Sequence, residues 1–338
     1  MTQQTKIEWT DFTVNFWEGC QKVGPGCDNC YAEERNGRFS AGANWGPGAP
    51  RRLVKGGPAK LRKIERDALS FHREHGRWPR VFLSSLCDVF DNAASPAWRI
   101  DLFRAIEAAP NCRFQMLTKR VGNVFQMIPP AWANGGWPSH VGLMITVVNQ
   151  EEANRDIPKL LDLKARLDIP WVGLSIEPML APIDLMVTSS KGHDIQSLRG
   201  VAVDPTDPDG ADEYYRTAKI DWVICGGESG PKARPMHPDW ARSLRDQCWE
   251  AETPFLFKQW GEWIPGEFDV PPEIRWQAFP VDPTDSNLLP EMDGNPRWNN
   301  GLEFLPTDTH CLFQKVGKKA AGRILDGSEH NGFPEALT

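Results

Sequence analysis

The chain is predicted to be an α/β protein, a partial or full (β/α) barrel followed by an irregular C-terminal extension. Three observations predict it. Short apolar or β-branched runs recur at residues 14–17, 81–86, 113–117, 142–148, 171–176, 221–225 and 255–257. Segments with the apolar spacing of amphipathic helices lie between most of them. Polar and charged residues gather directly after the runs, where parallel α/β folds carry their chemistry. Six or seven such units exceed a short dinucleotide-binding domain and favour a barrel over an open doubly wound sheet.

Taken in order, the first run leads into Glu18-Gly19-Cys20 and a loop holding three cysteines. Residues 60–75 have helical spacing, and the second run, containing Ser84 and Ser85, ends at Cys87-Asp88. A helix at 97–108 precedes the third run, which opens onto Thr118-Lys119-Arg120; the helix expected at 121–127 has the weakest pattern. The fourth run ends in Asn149-Gln150 at the start of a helix over 150–165, and the fifth in Glu177-Pro178. Residues 186–219, containing VDPTDPDGADE, read as a loop insertion. The sixth run is followed by Gly226-Gly227-Glu228-Ser229-Gly230 and a helix at 238–250, the seventh by Lys258-Gln259-Trp260. Residues 1–265 are expected to form the barrel, and 266–338, dense in Pro, Trp, Asp and Asn, an extension packed on it with a short helix at 315–325.

Composition narrows the function classes. With 40% hydrophobic and 25% charged residues the chain is an ordinary globular sequence. No apolar run nears the roughly 18 residues of a membrane span, and MTQQTKIEWTDF lacks the marks of a secretory signal. The expectation is a cytoplasmic protein with no membrane partner and reduced thiols. A net charge of −7 argues against wholesale polyanion binding. Residues 51–80 nevertheless carry ten Lys or Arg against three acidic residues. That cluster is either a phosphate-binding track, with Trp45 and Trp78 available to stack on bases, or the solvated face of a helix. Fifteen tryptophans against three tyrosines have no physical account at the level of sequence.

Of the eight cysteines, three fall within GCQKVGPGCDNCYAE, spaced Cys-x6-Cys-x2-Cys, with Gly24, Pro25 and Gly26 bending the chain so that the thiols can converge. A structural zinc site takes four ligands. Here the local set stops at three, and the nearest histidine is His72. Three thiolates suit a [4Fe–4S] cluster with one iron open to an amino-carboxylate ligand such as the methionine end of S-adenosylmethionine (SAM). Zinc with a distant fourth thiol, Cys87 or Cys225, is the alternative, and unligated thiols are a third.

Other positions carry paired readings. Glu228 lies in a glycine-rich loop that suits either close ligand approach, with Gly226 and Gly227, or a tight turn. Thr118 and Lys119 are candidate cofactor contacts or a solvated helix start. Asn149, at the end of the fourth run, is a further cofactor candidate. Glu177 suits a ribose hydroxyl, a base or a surface cap. Lys258, after an apolar strand, suits a substrate contact or an ion pair at the barrel mouth. Lys258 and Glu228 are the candidate catalytic residues.

The ordered segments IEWTDFTVNFWEGCQKVGPGCDNCYAE, VFLSSLCDVFD, FQMLTKR, WVGLSIEP, VICGGESG and FLFKQWGEW resemble the phage-associated three-Cys-motif family, a divergent branch of the radical SAM superfamily. The resemblance covers roughly residues 7–265. It implies a barrel of the radical SAM type and a [4Fe–4S] cluster on Cys20, Cys27 and Cys30. It further implies reductive cleavage of SAM to a 5′-deoxyadenosyl radical, hydrogen abstraction from substrate, and an electron donor such as flavodoxin or ferredoxin. The superfamily spacing is Cys-x3-Cys-x2-Cys with an aromatic residue before the third cysteine. This loop is three residues longer, has Asn29 at that place and Tyr31 after the last cysteine. The superfamily's Gly-Gly-Glu motif for the SAM amino group follows the second strand; Ser84, Ser85 and Asp88 hold the equivalent place here, whereas Gly226-Gly227-Glu228 follows the sixth. The resemblance and the basic segment together point to DNA or a modified nucleotide as substrate, for instance an isomerase or mutase step on an amino-acid-modified thymine, in the host cytoplasm if the chain is phage-encoded. The rivals are a zinc-stabilised nucleic-acid-binding module and a radical SAM enzyme acting on a peptide or small metabolite.

Overall fold

The computed structural model describes residues 2–189, 192–203, 214–266, 302–305 and 311–338. Seven parallel strands form a curled partial barrel: β1 (Phe12–Val14), β4 (Arg80–Leu83), β5 (Arg113–Thr118), β6 (Val141–Thr146), β7 (Val172–Ile176), β12 (Trp222–Gly226) and β13 (Phe255–Gln259), paired in that order. Their residues are almost all buried, because helices cover one face and aromatic side chains the other. Among the described residues β1 and β13 remain the two edges.

The first strand lies earlier than the apolar run suggests. Phe12–Val14 pairs with β4, while β2 (Trp17–Glu18) leaves the sheet to pair antiparallel with β3 (Arg52–Leu53). Helix α1 (Tyr31–Ser40) follows the cysteine loop directly, and Cys30 is its N-cap. Helix α2 (Gly57–His75) buries Leu61, Ile64, Ala68 and Phe71, at the spacing of one helical face. Then come α3 (Pro96–Glu107), the short α4 (Val124–Met127) and α5 (Pro130–Ala133), α6 (Gln150–Leu167) and α7 (Pro238–Glu250). The span 121–127 splits into a 3₁₀ turn and a single α-turn, in keeping with its weak pattern.

Within 186–219, four short strands, β8 (Met186–Thr188), β9 (Asp194–Gln196), β10 (Val201–Val203) and β11 (Tyr214–Arg216), build a separate antiparallel sheet where the composition reads as loop. Strands β14 (Trp263–Gly266), β15 (Leu302–Leu305) and β16 (Cys311–Lys315) form a third sheet, and α8 (Lys318–Ala321) is shorter than the helix expected at 315–325, whose first residue ends β16. The final residues run back along β13: Phe257 N donates to His330 O at 3.0 Å and Gly332 N to Phe255 O at 2.8 Å. The exposed edge of the sheet is thereby covered.

The interior of the arc accounts for part of the tryptophan excess. Trp9, Trp171 and Trp222 pack with Phe82, Met144, Ile224, Leu256 and Leu337 into one buried cluster. Trp171 lies flat over Gly142, where a Cβ would sit 1.9 Å from the indole. Arg80 stacks its guanidinium 3.6 Å from the Phe333 ring centroid and donates to Leu337 O at 2.9 Å. Among the described residues no helix is long and apolar enough to cross a membrane.

Candidate functional site

The carboxyl ends of β4, β5 and β6 meet the cysteine loop around a cavity of about 130 Å³. Its walls bring together Cys20, Cys27 and Cys30 with Ser84, Ser85, Asp88, Thr118 and Lys119, all of them expected from the sequence. Cys87, Tyr31, Trp45, Arg120 and Thr146 are also in the lining. Cys87 is the distant thiol that reaches the cavity; Cys225 is fully buried in the core, with its sulfur 3.7 Å from that of Met179.

The loop takes its path from close packing. The turn Pro25–Cys27 sets Gly26 where an added Cβ would stand 2.6 Å from Val148 Cγ1, on the segment that follows β6. On the other flank, Glu228 and Arg234, beyond the end of β12, clamp the loop. Asn29 Nδ2 donates to Glu228 Oε2 at 2.9 Å, and Arg234 donates to Pro25 O at 2.9 Å and to Asp28 Oδ2 at 3.2 Å. Arg234 in turn donates to both Glu228 oxygens, at 2.6 and 2.9 Å. Burial alone would raise the Glu228 pKa, yet the bonds from Arg234 and Asn29 hold it below the usual carboxylate value.

Electrostatics inside the cavity are set by one buried pair. Asp88 accepts from Thr118 Oγ1 at 2.8 Å, Lys119 N at 3.1 Å and Arg120 Nη1 at 3.0 Å. The same Arg120 nitrogen is 3.5 Å from Cys20 Sγ. Burial pushes the Cys20 thiol up to about 11, opposed by the Arg120 charge. Burial also raises Cys30, against backbone N–H groups at the start of α1, and raises Cys87 further. All of these sulfurs therefore favour the protonated form until a metal or cation compensates the thiolate charge. Ser84 has a left-handed backbone (φ 66°), and its buried hydroxyl has no hydrogen-bond partner of good geometry, the Cys87 thiol being the polar group beside it. Tyr31 donates to Ser85 O at 2.5 Å.

The remaining expected residues lie outside this lining. Glu177 and Lys258 form an ion pair against the Cα of Gly226, joined by Gln259 Nε2, which donates to Ser229 Oγ at 3.0 Å. Gly227 packs on the Trp260 carbonyl, where a Cβ would sit at 1.9 Å. Asn149 caps α6, accepting from Glu152 N at 2.9 Å. Sequence reading missed Arg234 as a partner of the loop and Tyr31 as a wall of the cavity. Position directly after Cys30 was the signal available for Tyr31; Arg234 had none, since its partners are set by the path of two loops.

Among the described residues no group of three or more His, Cys, Asp or Glu side chains is disposed around a single metal ion.

The chain is similar to a solved structure of spore photoproduct lyase, a double mutant with bound AdoMet and dinucleoside spore photoproduct, at 11% identity and a TM-score of 0.37, over 90% of this chain and 68% of that one. No curated protein matches the sequence. A family model matches residues 4–334, and the chain belongs to that family, described as Protein of unknown function (DUF5131).

Proposed function

We propose that the protein is a radical SAM enzyme that holds a [4Fe–4S] cluster on Cys20, Cys27 and Cys30. The observation that carries the reading is the shared cavity: three loop thiols facing the ends of parallel strands, with Lys119, Arg120 and the buried Ser84 hydroxyl in the same wall. The loop supplies three thiols, one short of the four-ligand set of structural zinc, and thiolate is the ordinary ligand of an iron–sulfur cluster.

When bound, such a cluster supplies the one-electron cleavage of SAM and, through it, hydrogen abstraction from the substrate. The protein's own residues bind and orient. Lys119 and Arg120 offset the negative charge of cluster and thiolates. Ser84, Ser85 and Thr118 offer hydroxyls and carbonyls to the amino-carboxylate of SAM, and Asp88 holds Thr118 and Arg120 in place. We assign Glu228 a positioning role, because its carboxylate is taken up by Arg234 and Asn29. Asn149, through its cap, and Gly226 and Gly227, through close packing, shape the rim. Lys258, paired with Glu177, faces the substrate side. The substrate we favour is a base in DNA, since the basic segment beside the site is suited to phosphate.

Anaerobic purification with iron and sulfide analysis, then incubation with SAM and dithionite, tests the class. The expected result is about four irons per chain and release of 5′-deoxyadenosine, both lost in Cys27→Ala. Stoichiometric zinc without iron after reconstitution would sink the proposal and favour a zinc-stabilised nucleic-acid-binding module.

A further inference from the structure

We infer that the solvent face of α2 is a docking track for duplex DNA leading to the cysteine cavity, an inference that deepens the DNA-substrate reading above. Arg62, Lys63, Arg66 and Arg73 are all exposed, on the side opposite the buried Leu61, Ile64, Ala68 and Phe71. Lys55 precedes the helix and is exposed as well. Among the described residues Arg62, Lys63, Arg73 and Lys55 make no ion pair, and Arg66 has Asp67 at 3.4 Å.

The helix carries three acids, of which Asp67 lies against Arg66 and Glu74 is exposed beside Arg73. Glu65 turns away, accepting from Asn111 Nδ2 at 2.6 Å and from Asn111 N at 3.2 Å. Exposed cations still outnumber exposed acids on this face, in a chain whose net charge is −7.

Placement ties the track to the cavity. The first turn of α2 abuts the end of β1, with Gly57 so close that a Cβ would lie 2.1 Å from Asn15 O. Asn15 Nδ2 donates to Ser85 Oγ at 3.0 Å, and Ser85 lines the cavity. From Arg62 to Arg73 the helix rises roughly 16 Å, enough to follow several phosphates of a duplex carrying one charge per about 1.7 Å. The exposed face carries no aromatic ring, so it lacks the stacking platform of a single-strand site. A straight helix meets B-form DNA readily, whereas the major groove of A-form RNA is too narrow to admit it.

The test is fluorescence anisotropy of a labelled DNA duplex of about 30 base pairs with the full-length protein, between about 50 and about 200 mM salt. Wild-type protein should bind with affinity falling steeply as salt rises. The variant R62E/K63E/R66E/R73E should bind at least tenfold more weakly, with a salt slope smaller by about 0.9 for each phosphate that is no longer neutralised. The neutral set R62Q/K63Q/R66Q/R73Q should fall between. Circular dichroism and DNA-independent SAM cleavage should be unchanged in both. Wild-type-like duplex binding by both variants, no duplex binding by wild type, or tighter binding of single-stranded DNA or duplex RNA would each overturn the inference. Failure of binding with SAM cleavage intact sinks the track alone; salt-dependent binding that disappears in the variants of an iron-free protein sinks the radical reading and leaves the track.

Discussion

Four hydrogen bonds cross from the loop after β12 to the cysteine loop, from Asn29 to Glu228 and Lys232 and from Arg234 to Pro25 and Asp28. At the scale of residues this clamp has the largest predicted effects. Glu228→Ala leaves Arg234 without its main partner and should cost about 1–3 kcal/mol, below the roughly 3–5 of a fully buried pair because Arg234 is partly exposed. Thermal unfolding and the rate of iron loss to a chelator should both register it. The Glu228 pKa is depressed in the folded protein, so its contribution is present above the ordinary carboxylate value and disappears as pH falls through the depressed one. The stability gap between wild type and Glu228→Gln should therefore be widest near neutrality and close in acid. A gap that is constant with pH would show that the charge contributes nothing. His140 and His237 run in the same direction for a different reason: burial lowers both pKa values. Protonation then favours the unfolded chain, and the melting temperature should fall as pH drops below about 6.5. Much of this scale was legible, since Ser84, Thr118 and Lys119 could be placed by the rule that chemistry follows strand ends. Arg234 could not, because its role depends on where two loops cross.

Element by element, apolar runs located six of the seven parallel strands well and the first poorly. The first run misled because Phe16 and Trp17 are as apolar as the true strand, while Trp17 belongs with Glu18 to a two-residue ladder on Leu53 and Arg52. Helix α1 went unseen because its sequence, YAEERNGRFS, buries little besides Ala32 and Asn36 and so has weak periodicity. The strands at 186–219 went unseen because each is three residues long, too short for alternation to register. Helix α2 offers a test of packing against propensity. Alanine is about 1 kcal/mol better than glycine inside a helix, yet at residue 57 its methyl would meet a backbone carbonyl that cannot swing away. Gly57→Ala should therefore lower the melting temperature. An unchanged or raised value would mean that α2 sits more loosely on β1 than the close approach implies.

At the scale of the whole molecule, the C-terminal segment covers one edge of the arc. Residues 330–338 cover the β13 edge, accept the Trp222 indole N–H at Gly332 O (2.8 Å) and cap the inner cluster with Leu337. Ending the chain after Glu329 should expose both the strand edge and the indoles, giving insoluble protein or strong binding of a hydrophobic dye. Soluble, dye-negative material would contradict that role. The sequence predicts an extension packed on the barrel, but its path along β13 could not be read from a composition that looks like loop, since that path is imposed by the sheet it lies on. The distribution of tryptophans has a spectroscopic consequence. Trp9, Trp171 and Trp222 are sealed in the interior, Trp249 is 84% exposed, and Trp45 stands in the wall of the cysteine cavity. Filling that cavity with a light-absorbing cluster should quench Trp45 first, and a soluble quencher should reach Trp249 first. Intrinsic fluorescence then reports site occupancy and surface access as separate signals, with no label attached.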